Sequence, residues 1–210
     1  DHFGLGKKIG VDLSNEKRGF YPTSDYFGEW YKGQRWNSLW IQSLAIGQGE
    51  MLTTNLQLAN VAAMLANRGY YYQPHLIKET LEGKQRVKRV VNKVEVGIDS
   101  IHFRPIIEGM EEVVSSGTAR LAQIPNVKVC GKTGTAENPQ GEDHSIFFAF
   151  APKENPQIAI VAYVENGGSG GGMAAPLASL VMEKYLKGSI SSSRKWVEQY
   201  VLNKQREKSP

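Results

Sequence analysis

Three stretches in the second half of the chain alternate apolar with polar or small residues at a two-residue period: Val127 to Thr135, Ser145 to Phe150 and Gln157 to Val164. Each predicts a strand. The segments between them, Glu137-Asn138-Pro139-Gln140-Gly141 and Ala151-Pro152-Lys153-Glu154-Asn155-Pro156, are rich in turn residues and too short for a helical crossover. The three strands are therefore expected to be antiparallel neighbours. Helical spacing appears around them. Thr53 or Thr54 can cap a helix lined by Leu56, Ala59, Ala63 and Ala66 and stopped by Gly69. A second helix is predicted from about Ile101 to Ser115, with Pro105 in its first turns and Ile106, Ile107, Met110, Val113 and Val114 on its apolar side. The run Gly167 to Gly172 leads into a third, about Ala174 to Leu186, closed by Gly188. The pattern is α+β: an antiparallel sheet flanked by helices.

Residues 1–50 keep no sustained period. Gly4, Gly6, Gly10, Gly19, Pro22, Gly28, Gly33, Gly47 and Gly49 punctuate them, predicting a loop-rich region. Phe20, Tyr21, Tyr26, Phe27, Trp30, Tyr31, Trp36 and Trp40 give it apolar area to pack down, a reading preferred to a carbohydrate-stacking platform. Residues 70–100 read as short strands and a basic turn ending in Val90-Val91-Asn92-Lys93-Val94, and 189–210 as a tail with room for one amphipathic helix around Trp196, Tyr200 and Val201.

Composition narrows the function classes. Apolar residues at 40% and charged residues at 22% of 210 positions suit one sizeable globular core or a large piece of a bigger domain. The formal charge of +4 is concentrated in Lys84 to Lys93 and Arg194 to Lys208, which read as a solvated turn and tail, so no nucleic-acid partner is expected. No run approaches the about 20 apolar residues a membrane span needs, and nothing resembles a signal peptide. The chain opens on Asp1-His2-Phe3 without a methionine and is expected to be excised from a longer protein. Its one cysteine, Cys130, excludes an internal disulfide and reads as a small buried strand residue. His2, His75 and His102 lack metal-ligand spacing, so no metal and no cofactor are expected. Glu111 and Glu112 are adjacent on a helix and point apart, which does not make a catalytic carboxylate pair.

The candidate chemistry lies in Lys132-Thr133-Gly134-Thr135, at the end of the first predicted strand. Gly131-Lys132-Thr133 is not a phosphate loop: Asn126 stands where the pattern needs its first glycine, and a turn and a strand follow where it needs a helix. A cation, two hydroxyls and a glycine on a strand suit an anion instead. Thr133 and Thr135 fall on one face and offer hydroxyls to a carboxylate, Lys132 supplies charge by its length or a local twist, and Gly134 admits close approach to the backbone. The Thr135 amide can act as one oxyanion donor, each such donor being worth about 3–4 kcal/mol of transition-state stabilisation. His144, beside Asp143 at a strand entry, is either a substrate contact or a structural hydrogen bonder, the second reading preferred.

Cys130-Gly131-Lys132-Thr133-Gly134-Thr135-Ala136-Glu137, then Asp143-His144-Ser145-Ile146-Phe147-Phe148-Ala149-Phe150-Ala151-Pro152, resembles the third active-site motif of the penicillin-binding transpeptidases. Ile46-Gly47-Gln48-Gly49 with its Thr-led helix, Phe3-Gly4-Leu5-Gly6 with Ile9-Gly10-Val11-Asp12-Leu13, and Gly117-Thr118-Ala119 are similar to the same family, in order over residues 1–188. The loop Asn138 to His144 and the short tail are most similar to its class B, rod-elongation branch. The resemblance implies the β-lactamase/transpeptidase-like fold and acylation of a serine by the D-Ala-D-Ala end of a stem peptide, followed by transfer to an amine. Lys132, Thr133, Gly134 and Thr135 would be catalytic-site residues, and Lys132, Thr133, Thr135 and His144 substrate contacts. Implied partners are peptidoglycan stem peptides, β-lactam antibiotics and a glycan polymerase of the elongation complex. The implied location is the periplasmic face of the bacterial inner membrane, with the anchor outside this chain.

The family's other two motifs, Ser-x-x-Lys with the nucleophile and Ser-x-Asn, are not matched. Ser-x-Asn is absent from the sequence, and the two Ser-x-x-Lys strings, Ser14 to Lys17 and Ser192 to Lys195, lie in a loop and in the tail, where no helix start is expected. The chain is thus expected to be a C-terminal portion, residues 1–188, with a tail at 189–210, inactive alone. The alternatives are a non-enzymatic β-lactam sensor domain and a β-lactamase-type serine hydrolase of the same fold. Phe3 to Leu13 and the aromatic loop favour the transpeptidase.

Overall fold

The computed structural model describes residues 2–32 and 38–207; Asp1, Gly33, Trp36 and Lys208, named above, lie outside the described residues. The chain folds as two compact units, Asp1–Gln57 with Tyr72–Val94, and Leu58–Tyr71 with Glu95–Pro210. Among the described residues no helix is long and apolar enough to cross a membrane.

The first unit is loop-rich, as its glycines predict, but it also holds two short helices that the pattern does not reveal, α1 (Ser24–Trp30) and α2 (Ser38–Ala45). Thr23 starts α1 by accepting the Tyr26 amide at 3.3 Å. Phe27 is the one buried aromatic among those described between 20 and 40. It meets Tyr26 edge-on with ring centres 5.4 Å apart and lies 6.2 Å from Trp40. The loops are tied together by Gln57, whose buried side-chain amide donates to the carbonyls of Gly4, Lys7 and Arg18 at 3.3, 2.9 and 2.9 Å. Gln57 also completes a reciprocal cap with Thr54: its amide donates to Thr54 Oγ1 at 3.1 Å, and its Oε1 accepts the Thr54 amide at 2.9 Å. This selects Thr54 over Thr53 as the cap of α3 (Asn55–Ala66).

Strand β1 (Tyr70–Tyr72) precedes the hairpin of β2 (Glu79–Glu82) and β3 (Gln85–Lys88), with β4 (Lys93–Glu95) after it. The hairpin root is held by Asp12, which accepts the Leu76 and Ile77 amides at 2.7 and 2.9 Å and the Arg89 guanidinium at 2.9 Å. These contacts, led by the two amides, hold the Asp12 carboxyl below its ordinary range.

The second unit carries α4 (Phe103–Ser115), the sheet β5 (Cys130–Ala136), β6 (His144–Ala151), β7 (Ile158–Val164), and the helices α5 (Ala174–Lys187) and α6 (Lys195–Glu207). The sheet order is β5-β6-β7 with both pairs antiparallel, as the short connections require. Alternation along β6 buries Ser145, Phe147, Ala149 and Ala151 on one face. There the fully buried Ala174, Ala175 and Ala178 of α5 let the helix lie close, and Met182 fills the far end. Gly131, opposite Ala149, leaves room for the Phe147 ring that a Cβ would meet. Gly188 ends α5 in the left-handed conformation, φ 77°.

The segment after Gly188 does form the amphipathic helix, and it is docked: Val197 and Val201 of α6 are buried. Just before it, Arg194 donates to the fully buried Glu183 of α5 at 2.6 Å and to Ser179 Oγ at 2.6 Å. Burial alone would raise the Glu183 carboxyl, but hydrogen bonds from Ser191 and Arg194 outweigh it and hold the group below its ordinary range.

Candidate active site

Strand alternation on β5 puts Thr133 and Thr135 on the face shared with their cross-strand partners Phe147 and Ser145. At this end of the strand that face is open. A groove of about 490 Å³ runs along it, lined by Thr118, Arg120, Thr133, Thr135, Ser169 and the glycines 170–172. The Thr133 and Thr118 hydroxyls are 2.9 Å apart, and Thr135 Oγ1 accepts the Gly170 amide at 3.4 Å.

The far wall explains the glycine run. A Cβ on Gly170 would overlap the carbonyls of Gly134 and Ile146, and one on Gly171 the carbonyl of Thr118. Only a segment without side chains can lie so close over the strand. Ser145 fixes it from below, donating its hydroxyl to the Ser169 carbonyl at 2.8 Å and accepting the Ala174 amide at 2.9 Å, an orphan donor at the start of α5. Tyr200 of α6 donates to the Gly172 carbonyl at 3.1 Å, so the C-terminal helix also holds the groove wall.

The site residues expected from sequence divide. Thr133 and Thr135 line the groove together. Gly134, between them, faces Ile146 on the other side of the strand. Lys132 is exposed, and its ammonium donates to the Thr133 carbonyl at 2.7 Å instead of lining the groove. His144 accepts the Asn166 amide on Nδ1 at 3.0 Å and packs near Tyr163; it is not among the lining residues. Thr118, Arg120 and Ser169 are functional candidates that sequence reasoning missed. Gly117-Thr118-Ala119 was visible as a resemblance, but nothing in its spacing brings it beside Thr133.

The remaining candidates have structural settings. Burial pushes the Cys130 thiol up to about 12, which keeps it protonated and inert. Glu111 pairs with Lys153 and Lys128, and hydrogen bonding to Lys153 leads in holding its carboxyl down. Ser14 lies in a turn. Ser192 departs from expectation: it opens a 3-10 turn, Ser192–Arg194, that runs into α6. It is exposed, however, and Lys195 is paired with Glu198 at 3.2 Å.

The profile of the penicillin binding protein transpeptidase domain matches residues 1–183. A protein of Acinetobacter baumannii described as peptidoglycan D,D-transpeptidase MrdA is 35% identical over 206 residues, covering 88% of this chain and 30% of that protein. One of the same description from Haemophilus influenzae is 32% identical over 219 residues, covering 92% and 33%. The chain thus spans about a third of the length of these relatives. Among solved structures, Pseudomonas aeruginosa PBP2 in complex with WCK 5153 superposes with a TM-score of 0.75 at 35% identity, over 91% of this chain and 43% of that one. Helicobacter pylori PBP2, solved with MreC, gives 0.72 at 29% identity, over 89% and 34%. The mixed architecture and antiparallel sheet are those of the β-lactamase/transpeptidase fold. The chain therefore belongs to the penicillin-binding protein transpeptidase family, in the class B branch that includes MrdA.

Proposed function

We propose that this chain is the carboxylate-binding portion of a serine-type peptidoglycan D,D-transpeptidase. In this reading residues 1–188 are the C-terminal part of the catalytic domain, residues 189–210 are an extension, and the nucleophilic serine lies elsewhere in the complete protein. The observation that carries it is the row of hydroxyls from Thr118, Thr133 and Thr135 along one groove with no acidic side chain among its described lining residues. Such a surface receives a carboxylate and repels none. In the complete enzyme the serine attacks the carbonyl between the last two D-alanines and expels the terminal D-alanine as the free amine. The resulting ester then passes to an amine of a neighbouring strand. Thr133 and Thr135 hold the terminal carboxylate, the Thr135 amide donates to the oxyanion, and Lys132 adds positive charge at the strand. A β-lactam carboxylate occupies the same place. Work on stem peptides and a partnership with a glycan polymerase put the complete protein on the periplasmic face of the inner membrane.

The test is the acylation rate of the complete protein by a carboxylate-bearing β-lactam. Lys132→Ala is expected to slow it by about tenfold or more, the size of a lost charge interaction, with an unchanged melting temperature. An unchanged rate would contradict the role given to Lys132.

A further inference from the structure

Among its described lining residues the groove has one charged side chain, and it is not the lysine of the strand. Arg120 lines it together with the three threonines, whereas the Lys132 ammonium rests on the Thr133 carbonyl. The Arg120 guanidinium has no hydrogen-bond or ion-pair partner among the described residues, although Glu111, Glu183 and Asp12 all hold theirs. Its backbone is nevertheless fixed. The flanking Ala119 and Ala122 are fully buried, the Ala119 amide donates to the Val113 carbonyl at 2.9 Å, and Gln123 donates to the carbonyls of Val114 and Ser115 at 3.1 and 2.7 Å. The next carbonyl, that of Leu121, accepts from Arg194 at 3.4 Å. A rigid base, an unpaired guanidinium and a groove of hydroxyls are the parts of a carboxylate receptor. The planar fork of arginine also matches a carboxylate in a way an ammonium does not.

We infer that Arg120 is a specificity-determining residue whose guanidinium binds the free carboxylate of the D-alanyl peptide or β-lactam lying against Thr118, Thr133 and Thr135. This rests on the transpeptidase reading above and assigns the charge in its groove to a residue outside the Lys-Thr-Gly strand.

The experiment compares the complete protein with its Arg120→Gln and Arg120→Lys variants, using a penicillin and the same penicillin as its methyl ester. Arg120→Gln is expected to lower the acylation rate by the acid about tenfold, the size of a lost charge-assisted hydrogen bond, and to leave the ester rate unchanged. Arg120→Lys is expected to recover part of the loss. An equal loss for acid and ester would make Arg120 merely structural, and no loss for either would show that it does not touch the ligand; both overturn the inference while acylation of the wild type leaves the transpeptidase reading standing. A wild type that takes no acyl group fails that reading instead. The inference is then decided on the chain itself by titration with N-acetyl-D-alanyl-D-alanine, following the Thr133, Thr135 and Gly170 amides by NMR. Shifts that vanish in Arg120→Gln support it, and shifts that persist unchanged overturn it.

Discussion

At the scale of single residues, the shared face of the two strand threonines was legible because strand alternation is local. A period of two puts Thr133 and Thr135 on one face whatever else the chain does, and the structure has them there. Lys132 and Arg120 were not legible in the same way. Where a long cation sends its charge depends on nearby acceptors, and Arg120 comes to line the same groove as Thr133 only through the fold of the turn after α4. The glycine run was visible but its purpose was not, since the need for bare backbone arises only once the segment lies over β5 and β6. Gly171 makes this testable. A Cβ there would overlap the Thr118 carbonyl, a backbone atom that cannot swing aside. Gly171→Ala is therefore expected to cost about 1–3 kcal/mol by overpacking, read as a lowered denaturant midpoint. A midpoint equal to that of the wild type would show that the loop stands off the strand.

At the scale of elements, the long periodic segments were readable to within a few residues, and the three central strands with them. The two helices of the first unit were not, because each is only 7 or 8 residues long and the cap that starts α1 is one threonine among many loop residues. The docking of α6 was also hidden. An amphipathic period shows that a helix has an apolar face, but not that a buried Glu183 waits for the arginine ahead of it. That pair is expected to matter. Arg194→Met takes the closest cation from the buried Glu183 carboxylate and leaves it the Ser191 hydrogen bonds and Lys187 at 3.8 Å, a change expected to destabilise by about 3 kcal/mol, and adding Glu183→Gln is expected to restore much of the loss. The pH dependence has a definite sign. The folded Glu183 and Glu111 carboxyls lie below their unfolded value of 4.5, so their contribution is complete above that pH and is lost as the pH falls through the folded values. Urea midpoints of the wild type and both variants across pH 3 to 7 check this, the wild type being expected to lose more stability towards pH 3 than the double variant. A wild-type profile no steeper than that of the double variant, or a double variant no more stable than the single one, would contradict the pair's role. Because Tyr200 of the same helix holds the Gly172 carbonyl, loosening α6 is also expected to blur the groove.

At the scale of the whole molecule, the sequence carried the class of the fold and the family because ordered motifs spread over most of the chain. It did not carry the loop anchoring by Gln57, which depends on three carbonyls distant in sequence. In the proposed function the chain contributes a carboxylate groove and one oxyanion amide, and the serine that takes the acyl group lies elsewhere in the complete protein. An acyl transfer needs that serine within about 2.6–3.2 Å of a base. Ser14 sits in a turn, and Ser192 is exposed with Lys195 committed to Glu198. The most direct measurement is intact-protein mass spectrometry after incubation with a fluorescent penicillin, on this chain and on the complete protein side by side. The expected result is one penicilloyl group on the complete protein and none on the chain. A stoichiometric adduct on Ser14 or Ser192 of the chain alone would contradict it.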